Sequence, residues 1–295
     1  MSTHYLWRSR PQKAILTLAL SGVGSWAVTS YFTRNAFADD GEPATAFPSK
    51  LGTSLRLESS ESVNHNTKRL RFEFPNPTAR SGLTLTSTVF IAAWPKGRWF
   101  PVIRPYTPVS SLNQRGSIDL MVKKYPNGKA STYLHSLTPG DSLYFLTPVS
   151  LGYRWTPNQY PHIILIAGGA GITPIYQLAQ GILNNPEDKT TITLVFGVNS
   201  DADVLLRKEF KDFEQRFSGR FKAVYTVSNP TDGSPFQKGY VTKELLEEIG
   251  VRGEKKDTKV FVCGPPAMEK ALVGARKQGG VLEQLGYRKD QIHVF

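Results

Sequence analysis

His162-Ile163-Ile164-Leu165-Ile166-Ala167-Gly168-Gly169-Ala170-Gly171-Ile172-Thr173-Pro174 decides the fold of this chain. It opens on a continuous apolar run, as a parallel strand buried on both faces requires. Glycines then crowd a turn, and Ile175-Tyr176-Gln177-Leu178-Ala179 carries a helical pattern. Strand, glycine-rich turn and helix in that order form one unit of a parallel α/β sheet, whose ligands bind at strand carboxyl ends. The glycines let a diphosphate approach the backbone, while the helix start offers unpaired N–H groups and the positive end of its dipole. Pro174 suits the first helical turn. The stretch is not G-x-G-x-x-G, because Pro174 takes the last position. Glycines that merely make room for strand–helix packing are the alternative reading.

Downstream the alternation continues. Strands are expected at residues 192–196, 221–227 and 259–262, with helices near 204–217 and 243–249, which together predict a doubly wound parallel sheet. Cys263-Gly264-Pro265-Pro266 again follows a strand and opens a helix. A thiol there can touch a flat ring without bulk or charge, although a buried core cysteine beside a Gly-Pro-Pro turn explains it equally well. Upstream, residues 47–148 read as all-β. Ser54-Leu55-Arg56-Leu57-Glu58 and Lys68-Arg69-Leu70-Arg71-Phe72-Glu73-Phe74 alternate, and short strands follow near 88–91, 102–103 and 118–123. Short strands punctuated by Gly, Pro and Asn predict a small antiparallel barrel. The fold class expected is therefore β followed by α/β, with residues 157–161 as the hinge. The predicted boundaries are 1–46 for a leader and tether, 47–156 for the barrel and 157–295 for the parallel-sheet domain.

Arg104-Pro105-Tyr106-Thr107-Pro108-Val109-Ser110 ends one of the barrel's apolar runs. It presents a cation, an aromatic ring and hydroxyls on a proline-stiffened backbone. The guanidinium forks onto phosphate oxygens, the ring packs on a heterocycle and a hydroxyl bonds its edge.

Composition narrows the chemistry. Of 295 residues, 40% are hydrophobic and 20% charged, an ordinary globular balance. The single cysteine, Cys263, excludes an intramolecular disulfide and a protein-held iron–sulfur cluster. The five histidines are scattered, so no metal site is indicated, and any redox chemistry falls to a bound organic cofactor. Net charge is +12; residues 1–38 hold Arg8, Arg10, Lys13 and Arg34 with no acid, so the body keeps +8. That favours acidic protein partners or anionic lipid over nucleic acid, for which no basic stripe or module is legible. Residues 14–33 are uncharged and long enough, as a helix, to span a bilayer core of roughly 30 Å. A basic, acid-poor leader before such a span reads as a mitochondrial presequence or membrane anchor. A secretory signal ending at Ala36-Phe37-Ala38 and a buried core helix are the rivals.

Taken in order, R-P-Y-T-P-V-S, G-K-A-S, G-G-A-G-I-T-P, C-G-P-P-A-M and a terminal aromatic resemble the NADH–cytochrome b5 reductase family of the ferredoxin–NADP reductase-like superfamily. The resemblance runs from about Leu51 to Phe295 and is strongest to the fungal mitochondrial form. It implies FAD in the barrel and NADH in the parallel-sheet domain. Arg104 would hold the FAD diphosphate, Tyr106 the flavin and ribityl chain, and Thr107 the neighbourhood of flavin N5, with Ser110 supporting the turn. Gly128 and Ser131 would serve the FAD phosphates, and Lys123 both cofactor and NADH. Thr173 would sit beside the flavin, Gly169 and Gly171 beneath NADH, and Cys263, Gly264, Pro265 and Pro266 along the nicotinamide. Pro105, Met121, Ala130 and Ser228 complete the implied cofactor-binding set, with Thr107 and Cys263 at the reacting atoms.

The resemblance further implies hydride transfer from NADH to flavin, then single electrons to an acidic haem protein such as cytochrome b5. An NAD(P)H-flavin reductase with a quinone or other small acceptor is the alternative. A monomer in the mitochondrial outer membrane or intermembrane space, anchored in lipid through residues 14–33, is the expected setting. Three positions depart from the family pattern. Ala170 replaces a threonine, Phe145-Leu146-Thr147-Pro148 lacks a basic residue, and Ser228 stands where an acid usually meets the adenosine ribose and repels a 2′-phosphate.

Overall fold

The computed structural model describes residues 44–47, 52–146, 153–253, 257–275 and 278–295; residues 14–33 lie outside them. Among the described residues no helix is long and apolar enough to cross a membrane.

Alternation builds the first half. In β1 (Thr53–Ser62) Leu55 and Leu57 point inward, and in β2 (Thr67–Glu73) Leu70 and Phe72 do. With β3 (Val89–Ala93), β4 (Val102–Tyr106), β5 (Ser117–Lys123) and β6 (Ser142–Phe145) they form an antiparallel sheet in the order β4-β3-β6-β1-β2-β5. Its edges approach where the Val109 N–H donates to the Asp119 carbonyl at 2.9 Å, so the sheet curls into a half-barrel. Phe72 meets Phe145 edge-on at 5.1 Å in its core. Helix α1 (Lys129–Ser136) had no sequence signal beyond its Gly-Lys-Ala-Ser start. Its inward positions are only Ala130, Ser131 and Leu134, too few for a helical hydrophobic stripe.

The second half is a six-stranded parallel sheet. Strands β7 (His162–Gly168), β8 (Thr191–Val198), β9 (Phe221–Val227), β10 (Gln237–Lys238), β11 (Thr258–Cys263) and β14 (Ile292–Val294) order as β10-β9-β8-β7-β11-β14. Helices α2 (Ile172–Leu183) and α3 (Arg207–Arg216) cover one face; α4 (Lys243–Glu248), α5 (Pro266–Val273) and α6 (Val281–Gln284) cover the other. A small hairpin, β12 (Gly274–Ala275) and β13 (Gln278–Gly279), follows α5. Strand β7 feeds both layers: Ile163 and Leu165 pack under α2, while Ile164 and Ile166 pack on the opposite side. That two-sided burial is why the run was unbroken in sequence. The doubly wound sheet agrees with expectation, but α3 starts later than the periodicity predicted. Leu206 takes a left-handed φ of 57° before Arg207, a conformation that a helix cannot contain.

The halves pack against each other. Val109 and Met121 of the barrel join the core under α2, and Leu85 fills the space above Gly181, where an added Cβ would lie 2.2 Å from Leu85 Cδ1. Residues 157–161, expected as a hinge, are fastened to the parallel-sheet half. Asn158 Nδ2 donates to the Glu187 carbonyl at 2.8 Å, the Lys189 N–H donates to Asn158 Oδ1 at 2.7 Å, and Trp155 Nε1 donates to Asp188 at 2.8 Å.

Candidate functional site

Sheet order locates the site before any side chain is considered. From β7 the chain winds outward to β8, β9 and β10, then returns past β7 to β11 and β14. The carboxyl ends of β7 and β11 therefore flank the topological switch point, where ligands of such sheets bind. There the turn at Gly168–Gly171 and the turn at Cys263–Pro266 touch. A Cβ on Gly171 would fall 2.3 Å from the Cys263 carbonyl oxygen and 2.9 Å from the Gly264 nitrogen. The second turn is closed by Glu269 Oε1, which accepts from the Gly264 N–H at 3.1 Å.

A cleft of about 1560 Å³ opens between these turns and the barrel. Of the residues singled out in the sequence, Arg104, Pro105, Tyr106, Thr107, Met121, Lys123, Gly128, Ala130, Ser131, Gly169, Gly171, Thr173, Cys263, Gly264, Pro265 and Pro266 all line it. Ser110 and Ser228 do not. Ser110 is buried behind the cleft, its Oγ accepting from the Asp119 N–H at 3.1 Å, so it braces the turn. Ser228 follows β9, its N–H donating to the Val198 carbonyl at 3.0 Å, beside rather than within the lining.

The donor chemistry fits two dinucleotides. Helix α1 starts at Gly128 without a side-chain cap and leaves first-turn N–H groups for an anion, whereas α2 is entered through a tight turn at Gly169–Gly171 that already holds the Ile172 N–H on the Gly169 and Ala170 carbonyls. Gly169 has a φ of 52° and open space where a Cβ would be, leaving bare backbone toward the cleft. One expected donor is engaged locally: the Ser131 hydroxyl donates to the Gly128 carbonyl at 3.1 Å and accepts from the Tyr125 N–H at 3.2 Å. It shapes the turn from Tyr125 to Ser131, and the backbone N–H groups at the start of α1 remain as donors. Arg104 is exposed on β4, its guanidinium resting on the Ile103 carbonyl at 2.7 Å.

Two groups on the cleft wall are kept uncharged. Burial pushes the Tyr106 phenol up to about 12. Burial, reinforced by Glu269, pushes the Cys263 thiol to about 12, so it is a neutral wall and not a thiolate nucleophile. Burial also raises Tyr125, a barrel phenol that lines the same cleft. Thr107 is buried, its hydroxyl 3.3 Å from that of Thr88. Thr173 Oγ1 donates to the Ala170 carbonyl at 3.3 Å.

Sequence reading missed several lining residues. Asp203 accepts from Lys123 Nζ at 2.8 Å and from Ser200 Oγ at 2.7 Å, so Lys123 is paired across the two halves. Burial alone would raise the Asp203 pKa, but hydrogen bonds from Lys123 and Ser200 overcome it and hold the carboxyl below its usual range. Tyr240 and Asn199 enter the lining from loops at strand ends, whose only sequence signal was their position after a strand. Phe295, noted only as a terminal aromatic, lines the cleft and stacks on Phe261 with centroids 6.0 Å apart.

Behind the Arg104–Ser110 strand end lies a buried ion cluster. Asp119 is fully buried and accepts from Arg69 Nη2 at 2.5 Å and Arg71 Nε at 2.8 Å. Burial raises its pKa, but the two guanidiniums outweigh burial and the net shift is downward. The folded value lies below the unfolded one. Its stabilisation is therefore complete above the ordinary carboxylate range and is lost as pH falls through the depressed value. Asp119→Asn should cost about 2–3 kcal/mol at neutral pH, discounted because both arginines are partly exposed. Urea unfolding should show that deficit shrinking toward acid pH; a deficit independent of pH would contradict the ionic account.

Comparison with known proteins agrees with this geometry. Residues 54–152 match the family described as oxidoreductase FAD-binding domain, and residues 165–273 match oxidoreductase NAD-binding domain. NADH-cytochrome b5 reductase 2 of Emericella nidulans is 47% identical over 249 residues, which cover 82% of this chain and 77% of that protein. The protein of the same name from Aspergillus clavatus is 49% identical over 249 residues, covering 82% and 76%. Among solved structures, the cytochrome b5 reductase domain of Ulva prolifera nitrate reductase superposes with a TM-score of 0.76 at 28% identity, over 85% of this chain and all of that one. With fold, cleft and sequence in agreement, this chain belongs to the NADH–cytochrome b5 reductase family.

Proposed function

We propose that this chain oxidises NADH with a bound FAD and passes the electrons singly to cytochrome b5 or a similar acidic haem protein. One observation carries the reading: the Arg104–Thr107 grip and the glycine turn at the sheet's switch point line a single cleft from opposite sides. FAD supplies the conversion between two-electron and one-electron chemistry. The protein's own work is positional. Arg104 and the α1 start hold an anion, and Tyr106 and Thr107 present a neutral ring and a hydroxyl. Gly169, Gly171 and Cys263 let a second ring lie flat without a competing charge. No general base is required, so orientation at contact distance is the main lever.

The +8 carried by the body favours an acidic protein acceptor over a small neutral one. Stopped-flow reduction of cytochrome b5 should slow steeply as salt rises, whereas a quinone should be insensitive. Faster, salt-independent turnover with a quinone would select the alternative.

Ser228 bears on the reductant. Its backbone is tied to Val198, next to the cleft residue Asn199, yet it carries no acid to repel a 2′-phosphate. NADPH is expected as a weak second substrate. Ser228→Asp should raise the ratio of kcat/KM for NADH over NADPH about ten-fold, the scale of one differential charge interaction. An unchanged ratio would show that selectivity lies elsewhere in the loop.

The sequence of residues 1–46 supports a mitochondrial address with a lipid anchor at 14–33, in the outer membrane or the intermembrane space, and a monomeric body. N-terminal sequencing and carbonate extraction of the native protein test this. A mature chain beginning just after Ala38 would favour the secretory reading.

A further inference from the structure

The β3–β4 hairpin carries aromatic surface that neither the cleft nor the core uses. Trp94 is 46% exposed, Phe100 81% and Trp99 95%. A tight turn orders them: the Arg98 N–H donates to the Pro95 carbonyl at 3.2 Å, and Gly97 sits at a φ of 81°. Lys96 and Arg98 are exposed on the same tip. Residues 74–118 contain Arg80, Lys96, Arg98, Arg104 and Arg115 and not one acid. At the matching end of β6, Asp141 is engaged by the Thr138 N–H at 2.7 Å and hydroxyl at 2.9 Å.

We propose that this tip is an interfacial membrane contact, seating Trp99 among the headgroups of an anionic phospholipid surface and Phe100 just beneath them, while Lys96 and Arg98 face the lipid phosphates. Indole rings such as Trp99 favour the headgroup level, an apolar ring such as Phe100 seats against the acyl boundary beneath it, and each nearby cation adds about five-fold to partitioning onto an anionic leaflet. Two other occupants fit worse. A haem protein must come close to the flavin, but β4 carries the chain roughly 16 Å from Val102 to Thr107, and the tip lies beyond Val102. A second copy would bury two or three rings, roughly 400–600 Å² per protomer, short of the ~800 Å² per partner of a stable interface. The contact is independent of residues 14–33: it would hold the barrel against the surface whether or not that segment spans it.

Hydrogen exchange read by mass spectrometry on the full-length FAD-loaded protein tests the contact. Three conditions are compared: solution, phosphatidylcholine vesicles, and vesicles of equal phosphatidylcholine and phosphatidylglycerol. Peptides covering residues 94–101 should exchange at least about five-fold more slowly on the anionic vesicles than in solution or on the neutral ones, the partitioning that a single cation adds. Trp99→Ser/Phe100→Ser and Lys96→Glu/Arg98→Glu should each remove the protection while leaving NADH-dependent dye reduction unchanged. Equal exchange in all conditions overturns the proposal, as does equal protection on neutral vesicles. Protection by an acidic haem protein, or by raising protein concentration without lipid, overturns it in favour of a protein partner. Vesicle flotation of the same samples reports the 14–33 segment separately, so failure of the anchor and failure of the hairpin contact are distinguishable.

Discussion

Gly171→Ala should lower kcat/KM for NADH by about 100-fold while leaving FAD bound. The added methyl would meet the Cys263 carbonyl oxygen at 2.3 Å and its carbon at 2.5 Å, and both are backbone atoms. Ordinary contact needs the two turns to part by about 1 Å. A displacement of that size at a reacting centre costs about two orders of magnitude in rate. Gly168 is less constrained: a methyl there would meet Met268 Sδ at 2.4 Å, the flexible end of a side chain, and the Pro265 ring at 2.8 Å, with backbone no nearer than 3.4 Å. Gly168→Ala should therefore cost far less. Stopped-flow reduction of both variants, with flavin content measured beside it, checks the contrast. Equal losses in the two would mean that the crossing of the turns does not set the geometry.

Arg104→Ala should act on the other ligand. An arginine paired with a phosphate contributes about 1.5–3 kcal/mol, so FAD affinity should fall roughly 10- to 150-fold. Arg104 is exposed and rests only on the Ile103 carbonyl, so its removal leaves no buried charge behind. The variant should fold, purify with depleted flavin and recover activity when FAD is added in excess. Arg104→Lys should restore only part of the affinity, because an ammonium cannot fork onto two oxygens. Fluorescence titration of the apoprotein with FAD measures both. Unchanged affinity in Arg104→Ala would remove this residue from the phosphate site.

How much of this was legible in the sequence depends on the physics of each element. Strand β7 was plain because burial on both faces demands an unbroken apolar run. The glycine turn was plain because the backbone must come close to Cys263. Helix α1 was hidden because it buries little, and its role lies in an uncapped start, which a sequence advertises only as Gly-Lys-Ala-Ser. Asp203 was hidden for another reason: its partner Lys123 lies in the other half, 80 positions away, and no local pattern records such a pairing. The left-handed Leu206 shows the same limit, since φ at one residue set where α3 begins, against a helical periodicity that ran through it. Ser110 and Ser228 were expected in the cofactor-binding set, but neither lines the cleft: Ser110 bonds the Asp119 N–H behind it, and Ser228 follows β9 beside it, placements that no local pattern records.

Adding NADH without oxygen to the purified protein while recording its visible spectrum tests the central claim most directly. The protein should arrive yellow with stoichiometric FAD, and the flavin bands should bleach within the mixing time of NADH addition, then return when oxidised cytochrome b5 is supplied. A colourless protein that fails to take up FAD, or a bound flavin that NADH leaves oxidised, would contradict the account.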